Sequence, residues 1–149
     1  MVKSRAFEYT LVFVLVLILV GVFGQYVLVT HQKMAYDQLS TAYHAMQTAV
    51  VLVHTRCQVD VSHSCEQAGV VHAIGGQKIR VVQGYPAASM HGIVLASGLD
   101  AKTFVVREVP SGVQVYMAHQ PNNLQCRVLY QLPEGLNESA TVTMQASRC

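Results

Sequence analysis

Charge is scarce in this chain. Asp, Glu, Lys and Arg make up 12% of its 149 residues, and none lies between Tyr9 and Thr30. No basic block and no aromatic-interleaved basic stripe is present, which leaves nucleic-acid binding without support. The carboxylates are few and dispersed, so no acid/base pair can be assembled from the sequence. The seven histidines, His31, His44, His54, His63, His72, His91 and His119, are scattered and form no H-E-x-x-H. Ser97-Gly98 lacks the rest of a G-x-S-x-G elbow, and Gly75-Gly76 lacks the Lys-Ser/Thr of a phosphate loop. These absences exclude the common hydrolase, metalloprotease and nucleotide-binding signatures. The expectation is a protein that is not an enzyme, with no cofactor and no metal.

What the chain has instead is one long apolar run. From Tyr9 to Thr30 about 22 uncharged positions follow one another, enough to span a bilayer core as a helix. A core helix of a soluble protein would need a polar face, and this run has none before Gln25. Lys3 and Arg5 precede it and Lys33 follows. That bias places the N-terminus on the cytoplasmic side. A cleaved secretory signal is the rival reading, but such signals carry an apolar region of about 7–15 residues and a small-x-small cleavage site. Neither condition is met here.

About 115 residues remain, enough for one modest domain. All four cysteines, Cys57, Cys65, Cys126 and Cys149, lie in this part, and none is in a C-x-x-C pair. An oxidising compartment would pair them as disulfides. The alternative is a metal site with His63 or His72, for which ligand pairs two to four residues apart are the usual sign.

Helical character continues past the apolar run. Residues 31–54 contain no Gly or Pro, and Leu39, Met46, Val50 and Val53 recur on one side with Ala35, Ala42, Ala45 and Ala49. That is an amphipathic helix with one packing face. One helix from about residue 8 to about 55 is the simplest reading. Gly21 and Gly24 either bend it, permit close helix packing, or are ordinary membrane-helix composition. After Arg56 the pattern breaks, and Cys57 to Cys65 reads as a loop closed by a local disulfide. Gly69, Gly75, Gly76 and Gly84 punctuate an irregular region containing a short strand at 78–82. Residues 84–88 read as a turn or loop, and 93–99 as a short helix ending near Gly98.

The last third is strand-like. Strands are expected over 102–109, 113–118, 124–131 and 140–146, with turns at 110–112, 119–123 and 133–137. Cys126, Val128 and Tyr130 share one face. This is an antiparallel meander whose apolar face needs a cover, and the 34–53 helix is the only long element available. The second disulfide, Cys126–Cys149, would then join the last two strands. The fold class is α+β: a long N-terminal helix, membrane half plus amphipathic half, packed on a C-terminal antiparallel sheet.

Three features together resemble the type IV pilins: a short basic leader followed at once by Phe7 and an apolar run, a single N-terminal helix with a C-terminal antiparallel sheet, and a last strand pair closed by Cys126 and Cys149. Gly84-Tyr85-Pro86-Ala87-Ala88, then Gly92-Ile93, then the terminal Cys, is similar to minor pilins of the mannose-sensitive haemagglutinin system. The resemblance implies a leader at 1–6, cut between Ala6 and Phe7 by a prepilin peptidase. It implies a transmembrane and assembly helix at 7–30 and a periplasmic globular domain at 31–149. The assembly helix would include Glu8, Leu11 and Gly21. The family's glutamate position falls on Leu11, with Glu8 three residues too early, and Ala6 stands where Gly is usual. The departure suits a minor subunit, at the tip or the initiating end. Implied partners are other pilin subunits, the inner-membrane assembly machinery and the inner membrane itself. The alternative is an uncleaved, inner-membrane-anchored periplasmic accessory protein of pilus biogenesis.

Overall fold

The computed structural model describes residues 2–59, 65, 68–72, 76–135, 138–147 and 149; of these, the side chains of 2–8, 26–32, 68 and 71–72 are outside the description. The chain divides into two compact units, residues 1–35 and 36–149. It is α+β, with two antiparallel sheets.

Helix α1 spans Val2–Val59. Its part in the second unit buries Leu39, Ala42, Met46, Ala49, Val50 and Val53, the face expected from the apolar spacing. Thr41, Thr48 and Thr55 stand off that face and donate to the carbonyls of Asp37, His44 and Val51. Each thus satisfies its hydroxyl within the helix. The helix continues beyond the expected break at Arg56, so Cys57 sits in its last turn rather than in a loop.

The larger sheet is the expected meander, in the order β4-β5-β6-β7: Phe104–Val109, Gly112–Met117, Cys126–Gln131 and Thr141–Ala146. Register aligns Val113 with Tyr130 and Tyr130 with Val142, and Val115 with Val128 and Val128 with Met144. These residues line one face and close on Leu39, Met46, Ala49 and Val50 of the helix. Gly112 is required at the β4–β5 turn: its φ is 148°, and an added Cβ would lie 1.9 Å from the carbonyl oxygen of Tyr130.

A second, three-stranded sheet corrects the expectation of one. Its strands are β1 (Ala68–His72), β2 (Lys78–Val82) and β3 (Tyr85–Pro86), in that order. Of these only β2 was expected. Gly69 made β1 look irregular, yet its pairing with Val81 holds it in register. Tyr85 and Pro86 read as a turn but pair with Val82 and Val81. Pro86 is tolerated because β3 is an edge strand and needs no outward N–H. Ile79 and Val81 form a smaller core with Val53 and Cys65. Between the sheets a π-turn, Met90–Val94, runs into the one-turn helix α2, Leu95–Ser97, which stops before Gly98 as expected. Gly92 is forced here, since a Cβ would meet the Ala87 carbonyl oxygen at 2.0 Å.

Candidate assembly surface

In the first unit the described side chains are those of 9–25 and 33–35; Tyr9 to Gln25 are all exposed, while Ala35 is buried. Between Tyr9 and Phe23 the large apolar ones range from 47% exposed at Val16 to 75% at Tyr9. Full burial of such a side chain is worth about 1.5–3 kcal/mol, so the run represents on the order of tens of kcal/mol of cover that the unit does not itself supply. Thr10, Leu11, Val14, Leu15 and Ile18 line a shallow groove along one side of this helix. Leu11 is 54% exposed, and an added Cβ at Gly21 or Gly24 would meet nothing within 4 Å. Ala6, Phe7 and Glu8 lie within α1, with their side chains outside the description. Among the described residues, no helix is long and apolar enough to cross a membrane. The expected span extends to residue 30, and the side chains of 26–32 are outside the description.

In the second unit the cysteines pair as expected. Cys57–Cys65 has a Cα–Cα distance of 5.5 Å and Cys126–Cys149 one of 5.0 Å. Pairing consumes the thiols that a metal site would have used. His63 and the side chain of His72 lie outside the description.

The Tyr85-Pro86 step is built into the packing. The His54 ring stacks on Tyr85 with centroids 4.3 Å apart. Its Nδ1 lies 3.1 Å from the Gly84 carbonyl oxygen, which can only accept, so Nδ1 carries the proton. Nε2 then accepts from the Gln58 amide at 3.0 Å. The buried Tyr130 hydroxyl donates to the Pro86 carbonyl oxygen at 2.6 Å, tying the two sheets together. Burial pushes the Tyr130 phenol well above its ordinary pKa, and neighbouring Tyr85 adds to the rise.

One surface was not anticipated. A groove of about 980 Å³ lies between the 47–59 stretch of α1 and β7, floored by Val50, Val51, Leu52, Val59 and Val142 and edged by Arg56. Its signal in the sequence is Val51 and Val59, apolar residues off the packing face, which are 65% and 74% exposed. The chain matches no protein-family model, no curated protein and no solved structure.

Proposed function

We propose that this chain is a minor structural subunit of a type IV pilus or related filament, at its tip or initiating end. Residues 7–30 hold it in the bacterial inner membrane as a single pass and then bury their surface among neighbouring subunit helices. Residues 31–149 fold in the periplasm, an oxidising compartment that suits the two disulfides. The observation that carries this reading is the uncharged, exposed apolar surface from Tyr9 to Phe23. An apolar surface around the whole helix asks for lipid or other helices as cover. The resemblance of the short motifs at 84–88 and 92–93 to pilins of the mannose-sensitive haemagglutinin system guides the choice of filament. Its partners are other pilin subunits, the inner-membrane assembly machinery, and a prepilin peptidase acting between Ala6 and Phe7. It catalyses no reaction.

Leu11 favours a second reading beside it. A helix without the family's carboxylate offers nothing to the N-terminal amine of an adjacent subunit. It therefore suits an end position, or an uncleaved accessory that stays in the inner membrane. Replacing Leu15 and Leu19 with Asp tests the helix directly, since Asp at the centre of a span costs roughly 2.5–3.5 kcal/mol each. The native protein should stay with membranes through an alkaline wash, and the variant should not. Recovery of the native protein among soluble proteins would contradict both readings.

A further inference from the structure

The outer face of the four-stranded sheet carries positive charge that no acid among the described residues answers. Register places Val105, Tyr116, Arg127 and Gln145 in one row across the four strands. Arg107, Gln114, Leu129 and Thr143 form the next row. Opposite charges commonly face each other across antiparallel strands. Here both arginines face neutral partners only. Arg107 donates from Nη2 to Asn122 Oδ1 at 2.7 Å, and Arg127 donates from Nε to Gln145 Oε1 at 2.8 Å. Each guanidinium has five donors, so most remain unspent while the amide holds the group in place.

Nearby acids are engaged elsewhere. Glu108, next to Arg107 in sequence, occupies the opposite face of its strand and accepts from the Met90 N–H at 2.7 Å. Asp100 accepts from the Lys102 N–H and the Thr103 hydroxyl. Between the arginines lies Tyr116, only 1% exposed although it is on the outer face. Its hydroxyl donates to Gln114 Oε1, and Arg107 sits over its ring, 5.4 Å from the centroid. The strand spacings put the two arginine Cα atoms about 12 Å apart.

We propose that this face docks a carboxylate-bearing segment of a partner protein, gripped by Arg107 and Arg127. A guanidinium matches a carboxylate through two parallel N–H bonds, and the uncompensated charge makes the match specific in sign. Nucleic acid is the poorer fit. Two cations neutralise few phosphates, and the only aromatic ring on these two rows is buried, leaving no platform for a base.

The test uses the full chain in neutral detergent and a fluorescent polyglutamate peptide as probe, with double-stranded DNA as the competitor class. Saturable polyglutamate binding that weakens with salt is expected, with DNA weaker. The paired change Arg107→Gln and Arg127→Gln should weaken it at least about tenfold. Arg80→Gln, at an exposed position on the other sheet, should leave it unchanged. Because Arg107 also covers Tyr116, the melting temperature of each variant is read alongside. If the glutamine pair unfolds, the pair Arg107→Lys and Arg127→Lys decides. Lysine keeps the charge but loses the planar fork, so affinity should fall severalfold with folding intact. No binding by the native chain, equal binding by a folded glutamine pair or by the lysine pair, tighter binding of DNA, or self-association through this face would each overturn the proposal.

Discussion

Residues 9–25 and residues 36–59 belong to one helix and have opposite fates. The first stretch has apolar side chains on every side and leaves all of them exposed. The second has one apolar side, which is buried at Leu39, Ala42, Met46, Ala49, Val50 and Val53 and half-buried at Ala45. Helical propensity does not separate them, because both are helical. What separates them is whether polar residues confine the apolar surface to an angle that one sheet can cover. Where they do, the chain covers itself. Where they do not, cover must come from outside, and that need is the physical content of the assembly reading.

The comparison breaks most sharply under a buried charge. Met46→Asp places a carboxylate among Val115, Val128 and Tyr130, where an unpaired charge costs several kcal/mol or more. The second unit should unfold, which thermal melting of the full chain in detergent will register. Next in size is the Cys126–Cys149 bridge. Replacing both cysteines with Ser should cost about 3 kcal/mol by loop entropy, read as a lower denaturant midpoint.

A smaller effect belongs to Tyr130. Its phenol is raised in the folded state, so folding favours the neutral form. Stability is therefore full below the unfolded phenol value of about 10 and falls as pH rises beyond it, by about 1.4 kcal/mol per pH unit. Tyr130→Phe should remove that alkaline slope. It should also lose about 1 kcal/mol at neutral pH, because the Pro86 carbonyl loses its donor. Smallest of all is Leu15→Asp. Leu15 is exposed, so the melting temperature of the second unit should move by less than about 0.5 kcal/mol equivalent. A large shift there would deny that the two stretches are independent.

The parts of the fold set by local periodicity were legible in the sequence. The alternation of Cys126, Val128 and Tyr130, the 3.6-residue spacing of the helix face, and the turns at Pro110 and Pro121 all act within a few residues. The three-stranded sheet was not legible, because Ala68–His72 becomes a strand only through pairing with Lys78–Val82 across an interrupted stretch. The burial of Tyr116 was hidden for a similar reason. Alternation assigns it to the outer face, where the register of the neighbouring strand brings Arg107 over its ring. The groove beside β7 depends on where the helix crosses the sheet, which no local pattern encodes. The uncharged run was plain from the start, whereas its occupants were not, because lipid and neighbouring helices make the same demand on a sequence.

The central claim is that residues 7–30 serve assembly. Its most direct test is the intact mass and amount of this protein in filaments sheared from the cell surface. The account predicts recovery there in few copies, with a mass short by residues 1–6. Recovery only from the inner membrane at full-length mass would contradict it, as would recovery as the most abundant filament component.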